Sequence, residues 1–290
     1  MVKYPAFLFF VLCIITLVLY GVSADTQPAE IHFINVGYGD SIFIKISSGY
    51  TILIDGGYQE QGANVLKYLE QHCRKKSLDM MICTHPHPDH IGGLITIAKN
   101  YTVHSLISNM DFTLNDQLSV LKEIVSKKNQ NSQTIALTRG SVIYPVQDVK
   151  ITVLNPQKIT DDLNYSSLVL MVEIFKFKIL FGGDIEETGE KELTEIMGHN
   201  LRAHILKLPH HGNSGYCDFI NSVKPLIGII SVGENEWGAP NLQTIKTLDE
   251  NKTLILRTDK AGGIILQLFK NGRIKIKSES GAEKTLDLTL

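Results

Sequence analysis

Short apolar runs separated by polar, glycine-containing turns predict a series of β-strands in the first third of the chain. Alternating apolar positions predict strands over residues 31–36 and 41–46, and a continuous apolar run predicts another over 51–55. Apolar residues then recur at helical spacing over residues 64–73, which predicts an amphipathic helix. A short buried strand over 79–83 follows, and residues 94–98 are predicted as the start of a helix, so strands and helices mix from the beginning of the chain.

The second half predicts a similar mixture. Two apolar runs form a predicted hairpin that ends at Gly182-Gly183-Asp184. Another hairpin closes the chain, and Asn271-Gly272 is predicted as its type I′ turn. Helices are predicted over 186–197 and 242–248, and strands over 167–174, 178–181, 203–208, 227–232 and 253–257.

The composition is that of a globular protein with one large core or two modest ones. Of 290 residues, 43% are hydrophobic and 20% are charged. With a formal net charge of −2, the chain is not strongly basic overall, so its charge does not indicate nucleic-acid binding. A local basic groove stays open. Cys73, Cys83 and Cys217 are too few and too far apart for a disulfide framework or a cysteine-rich zinc site.

The N-terminus carries an apolar run over residues 6–22, preceded by Lys3. Val22-Ser23-Ala24 follows with the small-x-small pattern of a signal-peptidase site. These features predict a cleaved signal peptide over residues 1–24, with an uncleaved membrane anchor as the alternative. Either way, we expect residues 25–290 to form a single domain outside the cytoplasm, secreted or held at the membrane.

A cluster of metal-binding side chains follows the strand at 79–83. His85, His87, Asp89 and His90 occur within six positions, with Pro86 and Pro88 between them. Imidazole and carboxylate are the usual donors for zinc and related divalent ions. The prolines restrict the backbone, so this loop loses less entropy when it binds a metal. Four donors this close suit two metal ions better than one.

The pattern His-x-His-x-Asp-His, followed by Gly92-Gly93, resembles the signature of the metallo-β-lactamase superfamily of binuclear metallohydrolases. That resemblance implies an α/β fold, a four-layer αβ/βα sandwich of two mixed sheets. Three further stretches resemble the hydrolase domain of the ComEC/Rec2 DNA-uptake proteins. They lie at residues 35–41, 53–57 and 207–212, and the resemblance as a whole covers about residues 30–278.

The resemblance also implies a role for each donor. Asp184 would bridge two divalent ions, most simply zinc with manganese as the alternative, and Asp55 would support the metal loop without binding metal. Of the two adjacent histidines, His210 is preferred as the ligand, and His211 would lie near the substrate or behind the metal. The metal ligands are then His85, His87, Asp89, His90, Asp184 and His210, and the catalytic residues are Asp89 and His211.

Two positions depart from the pattern. The superfamily usually supplies a third histidine to the first metal, but Asn164 stands in the equivalent region here, so Asn164 or water would complete that site. The ComEC-type branch tends to have a histidine where this chain has Ala239. The first departure predicts weaker metal binding and more tolerance of manganese, and the second removes a proton donor.

These features predict a secreted or membrane-anchored binuclear hydrolase. The resemblance suggests a phosphodiesterase or nuclease acting on DNA or on a phosphorylated envelope component. Hydrolysis of a lactam, lactone or thioester is the second enzymatic hypothesis. A binding module that kept the fold and lost catalysis is the third, because the two departures weaken the site. The sequence leaves the oligomeric state open.

Overall fold

Two β-sheets form the centre of the molecule in the computed structural model, which describes residues 27–287. The strands of the first sheet are β1 (Ala29–Phe33), β2 (Ile42–Lys45), β3 (Thr51–Ile54), β4 (Ser77–Cys83), β5 (Thr102–Ser108), β6 (Gln133–Ala136), β14 (Ile264–Leu268), β15 (Arg273–Ser278) and β16 (Glu283–Asp287). Those of the second sheet are β7 (Val142–Val146), β8 (Val149–Asn155), β9 (Val169–Ile174), β10 (Phe177–Phe181), β11 (Ile205–Lys207), β12 (Ile227–Ile230) and β13 (Leu254–Arg257).

Helices cover the outer face of each sheet. They are α1 (Gly62–His72), α2 (Pro88–Asn100), α3 (Asp116–Lys128), α4 (Glu187–Met197), α5 (Cys217–Val223), α6 (Leu242–Glu250) and the short α7 (Thr258–Ala261). Helices α1 to α3 pack on the first sheet, and Leu69, Leu94 and Leu121 belong to the same buried apolar cluster as Met81 of β4. Helices α4 to α6 pack on the second sheet through a separate apolar cluster that includes Leu193.

The largest apolar core lies between the two sheets. The rings of Phe33 and Phe181, one from each sheet, lie 6.4 Å apart within it. Burying a side chain of this kind stabilises the fold by roughly 1.5–3 kcal/mol, so this core fixes how the strand ends face each other. The predicted α/β fold with four layers and two mixed sheets is confirmed.

Both sheets change from antiparallel to parallel pairing near their centres. In the first sheet the order is β16-β15-β14-β1-β2-β3-β4-β5-β6, and β3 to β6 are parallel. In the second sheet the order is β13-β12-β11-β10-β9-β8-β7, and β10 to β13 are parallel. Parallel strands end at one edge of a sheet, so loops that follow them collect there.

Two local predictions need correction. Helix α2 begins at Pro88 rather than near Leu94, because a proline at the first helical position already has the φ that a helix requires. The hairpin of β14 and β15 is followed by β16, so it does not close the chain, and it does not use a type I′ turn, because only Gly272 (φ +98°), and not Asn271, has a positive φ. The amide of Gly272 donates to the carbonyl of Phe269, which fits a type I turn followed by a bulge glycine.

The predicted signal peptide over residues 1–24, and its membrane-anchor alternative, lie outside the described residues. Within residues 27–287, no helix has both the length and the apolar character that crossing a bilayer demands.

Candidate metal centre

The carboxyl ends of parallel strands from both sheets carry the polar side chains of the site. Asp55 follows β3, and the loop that begins at Thr84 follows β4. From the second sheet, Asp184 follows β10 and the turn containing His211 follows β11. The fold therefore brings together donors that are far apart in the sequence, 94 positions for His90 and Asp184.

Four of these residues form a compact buried cluster. One ligand atom from each of Asp89, His90, Asp184 and His211 lies within 4.8 Å of all the others. The Nε2 atom of His90 is 3.1 Å from Oδ2 of Asp184, and Nε2 of His211 is 3.4 Å from the same oxygen. The Nε2 atom of His211 is also 3.4 Å from Oδ2 of Asp89.

The histidine-proline loop adds two more imidazoles beside this cluster. His85 is fully buried, and its Nε2 atom lies 4.0 Å from Oδ2 of Asp184. His87 is partly exposed, and its Nδ1 atom is 3.0 Å from Nε2 of His85. Oδ2 of Asp184 is therefore within 4.0 Å of imidazole nitrogens from His85, His90 and His211, a position from which one carboxylate could serve two ions.

Two atoms at the centre are buried without a hydrogen-bond partner, namely Oδ1 of Asp184 and Nε2 of His211. A buried polar atom left unpaired costs free energy, so folded proteins rarely keep one without a ligand or a water. A carboxylate oxygen and an imidazole nitrogen are also the donors that divalent transition metals prefer. The residues present therefore fit the divalent metal ions that the cluster suggests.

Asp55 orients His90 from behind. Its Oδ2 atom lies 2.9 Å from Nδ1 of His90 and also accepts a hydrogen bond from the hydroxyl of Thr84 at 2.7 Å. Its Oδ1 atom accepts from the amide of Thr84 at 2.8 Å. Such a carboxylate fixes the ring so that the opposite nitrogen faces the metal. Asp55 thus occupies the supporting position that the sequence predicts for it, and Thr84, which the sequence analysis missed, joins it.

The structure places His211, and not His210, in the cluster. Both residues have positive φ, +45° for His210 and +56° for His211, in the turn after Pro209. This backbone turns the two side chains apart, so that His211 is fully buried while the His210 side chain remains 20% exposed beside Glu186. The predicted roles of His210 as the ligand and of His211 as a substrate-facing residue stay predictions, but it is Nε2 of His211 that lies among the other donors.

The hydrogen bond made by Nδ1 of His211 determines the tautomer of this residue. Its Nδ1 atom lies 2.9 Å from the backbone carbonyl of Ser231, which can only accept a hydrogen bond. Nδ1 must therefore carry the proton, and in the neutral ring the lone pair of Nε2 faces Asp89 and Asp184.

Burial and neighbouring charges shift the pKa values of His85 and His211 in opposite directions. Burial, followed by the neighbouring His90, holds the pKa of His85 well below its usual value, which keeps its imidazole neutral and able to donate a lone pair. Burial also acts to lower the pKa of His211, but the carboxylates of Asp184 and Asp89 outweigh it and raise that pKa to about 9. A metal that binds His211 near neutral pH must therefore displace a proton.

Asn164 lies near the cluster, but its predicted role in binding the first metal stays a prediction. Its Nδ2 atom donates to Oε1 of Glu186 at 2.9 Å, and its Oδ1 atom is buried without a partner. Glu186 also lies 3.3 Å from Nδ1 of His210, so the three side chains form one polar group at the edge of the site.

A buried ion pair joins the two sheets directly behind the cluster. Lys207 at the end of β11 and Asp40 in the loop after β1 are 1% and 2% exposed, and their side chains form a close ion pair. The amide of Asp40 donates to the carbonyl of Asp89 at 3.2 Å, so the pair is connected to the metal loop. The sequence motifs contain both residues, but nothing in their spacing predicts that they pair.

We expect replacement of Lys207 by methionine to destabilise the fold by about 3–5 kcal/mol, because it removes the ammonium group that pairs with the buried Asp40 carboxylate. Urea unfolding would measure the change. Lys191→Met, at an exposed position of α4, is the matched control and should change stability by less than about 0.5 kcal/mol. The double variant Lys207→Met with Asp40→Leu should recover most of the loss. A single variant as stable as the wild type would contradict a structural role for the pair.

Comparison with known sequences agrees with this geometry. A profile described as the metallo-beta-lactamase superfamily matches residues 34–217. ComE operon protein 3 of Bacillus subtilis is 28% identical over 279 residues, which are 89% of this chain and 35% of that protein. Recombination protein 2 of Haemophilus influenzae is 25% identical over 275 residues, which are 92% of this chain and 32% of that protein. The chain spans about a third of the length of these relatives.

Solved structures share the fold at low sequence identity. CmlA, a diiron β-hydroxylase from Streptomyces venezuelae, superposes with a TM-score of 0.54 at 11% identity, covering 83% of this chain and 54% of CmlA. Igni18, a metallo hydrolase from Ignicoccus hospitalis, gives a TM-score of 0.53 at 11% identity, covering 90% of this chain and all of that protein (100%). The resemblance predicted from the sequence motifs is confirmed by the profile and the two sequence relatives.

Proposed function

This chain belongs to the metallo-beta-lactamase superfamily, and from that premise we propose that it hydrolyses phosphodiester bonds at a centre that holds two divalent metal ions. The observation that carries the proposal is the position of Asp184. Its carboxylate is within 4.0 Å of imidazole nitrogens from His85, His90 and His211. One of its oxygens is buried without a partner.

We assign the ligands from this geometry. His85 and His87 would hold the first ion, and Asp89, His90 and His211 the second, with Asp184 shared by both. Nitrogen and oxygen donors in this mixture suit zinc, with manganese as the alternative. When bound, divalent ions supply Lewis acidity and lower the pKa of water toward neutrality.

The protein's own residues orient this chemistry. Asp55 and the Ser231 carbonyl fix the imidazoles of His90 and His211, so each presents Nε2 to the centre. The apolar walls and the Lys207–Asp40 pair keep the back of the site closed to water. His210, at the exposed edge, is the imidazole that a substrate can reach.

The sequence relatives support a phosphodiester substrate. One of them carries the name Recombination protein 2 and another is ComE operon protein 3, so a nucleic-acid phosphodiester is our first choice. The formal net charge of −2 argues against a long polyanion bound along the surface, and a phosphorylated envelope component is the second choice. The apolar run over residues 6–22 supports a place outside the cytoplasm, which N-terminal sequencing of the mature chain would test.

A substrate panel separates the alternatives. The purified chain would be assayed on bis-p-nitrophenyl phosphate, single-stranded DNA and a β-lactam, each with added zinc or manganese. We expect metal-dependent hydrolysis of the two phosphodiesters and none of the β-lactam. Turnover of the β-lactam alone would instead favour the lactam, lactone or thioester hypothesis. Binding of one ion or none, without turnover of any substrate, would indicate a degenerate binding module.

A further inference from the structure

We propose that Tyr38 and Trp237 form an aromatic platform on which a nucleobase stacks, next to the phosphodiester bond that the metal centre cleaves. This inference rests on the proposed phosphodiesterase activity and names the substrate group that the site recognises beyond the phosphate.

Tyr38 connects the platform to the metal centre. Its ring lies 4.2 Å from the ring of His211, and the ring of Trp237 lies 4.4 Å from that of Tyr38 on the other side. The platform is therefore one side chain away from a proposed metal ligand.

Trp237 is open to a ligand on its outer side. It is 59% exposed and stands among the few large hydrophobic side chains with that exposure in the described part of the chain. Indole and phenol rings stack on nucleobases in a way that tolerates any base, and each such contact is a substantial part of single-strand binding. An exposed tryptophan beside a phosphodiester site can therefore bind a nucleobase of the substrate by stacking.

The loop that carries Trp237 is held rigidly without help from the indole. The side chain of Asn235 donates to the carbonyl of Ala239 at 3.0 Å and accepts from the Ala239 amide at 2.9 Å. At one end of the loop, Gly233 packs so closely that an added Cβ would lie 2.5 Å from the carbonyl carbon of Gly37. This loop and the loop that carries Tyr38 therefore form one unit.

The other end of the loop is tied to the proposed ligands. The amide of Asn241 donates to the carbonyl of Gly212 at 3.0 Å, and Gly212 directly follows His211. The platform thus has a fixed position relative to the metal centre, which lowers the entropy cost of stacking a base on it.

The charge around Trp237 limits how much nucleic acid it contacts. Glu234 and Glu236 are exposed and shortly precede Trp237 in the sequence, and carboxylates repel phosphates. The platform therefore suits a single base adjacent to the cleaved bond better than a long strand laid across the surface.

Trp237 is the only tryptophan in the chain, so its fluorescence reports on the platform directly. The full metal-loaded protein would be titrated with a short single-stranded oligonucleotide whose phosphorothioate linkages resist hydrolysis. An abasic oligomer of the same length and linkage is the matched ligand. We expect a saturable change in fluorescence with the first and none with the second, and a Tyr144→Ala variant, altered at an exposed aromatic residue in strand β7, should respond as the wild type does.

Kinetics provides the second measurement. The preference for a base-containing over an abasic oligonucleotide, expressed as a ratio of kcat/KM values, should fall on the order of tenfold in Trp237→Ala. Trp237→Phe should keep most of the preference, and Tyr144→Ala all of it.

Three outcomes would overturn the platform. They are equal fluorescence changes with both oligomers, an unchanged preference in Trp237→Ala, and a response to glycerophosphocholine without one to the oligonucleotide. The last would show that the rings bind a cationic group instead. If the wild type cleaves no phosphodiester, the proposed function fails, while the fluorescence titration still decides whether a base stacks on Trp237.

Discussion

Replacement of Asp184 by asparagine should lower kcat/KM for a phosphodiester on the order of 10³-fold. Several kcal/mol of transition-state stabilisation depend on the metal ions, and about 4 kcal/mol corresponds to a rate factor of this size. The carboxylate of Asp184 lies within 4.0 Å of imidazole nitrogens of His85, His90 and His211, which we assign to the two ions, so its loss weakens the hold on both. Activity assays and metal analysis of the purified variant would measure the two effects together.

The matched control is Asp161→Asn, which removes a carboxylate from an exposed loop position. It should leave both activity and metal content unchanged. If Asp184→Asn kept its metal ions and most of its activity while remaining folded, the shared-ligand assignment would be wrong.

The second large effect distinguishes the adjacent residues His210 and His211 by the activity of their alanine variants. His211→Ala should reduce kcat/KM by on the order of 100-fold or more and lower the metal content, because Nε2 of His211 faces Asp89 and Asp184. His210→Ala should cost less than about tenfold, because that side chain is partly exposed and lies beside Glu186 at the edge of the site. General acid or base catalysis contributes about 10²–10⁴-fold. A loss of less than about tenfold in His210→Ala would therefore also show that His210 is not the general acid or base.

The reverse order of effects would restore the assignment made from the sequence. His210→Ala would then be the variant that loses metal, and His211→Ala would retain it. Thermal unfolding of both variants in parallel shows whether a loss of activity follows from a loss of fold.

The sequence predicts the local parts of this site well. His85, His87, Asp89 and His90 lie within six positions, and two prolines restrict the backbone between them. This spacing predicts a metal-binding loop without any knowledge of the tertiary structure. The strands that end at this loop and at Asp184 were also predictable, because buried strands leave a clear apolar pattern. The positions of the metal loop and of Asp184 at the ends of these strands followed from the same pattern.

What the sequence could not supply depends on backbone direction and long-range packing. The choice between His210 and His211 is decided by two successive left-handed residues, and no periodicity in the sequence reveals such a turn. The Lys207–Asp40 pair joins residues 167 positions apart, and its partners meet only because the two sheets pack face to face. The same holds for Tyr38 and Trp237, whose contact arises where two loops from different sheets cross.

The most direct test of the central idea is the anomalous scattering of crystals grown with zinc or manganese. We predict two peaks about 3.5–4 Å apart, the separation usual for binuclear sites. Asp184 should lie between them, with His85 and His87 on one ion and His90 and His211 on the other. A single peak, or peaks that do not touch Asp184, would contradict the account.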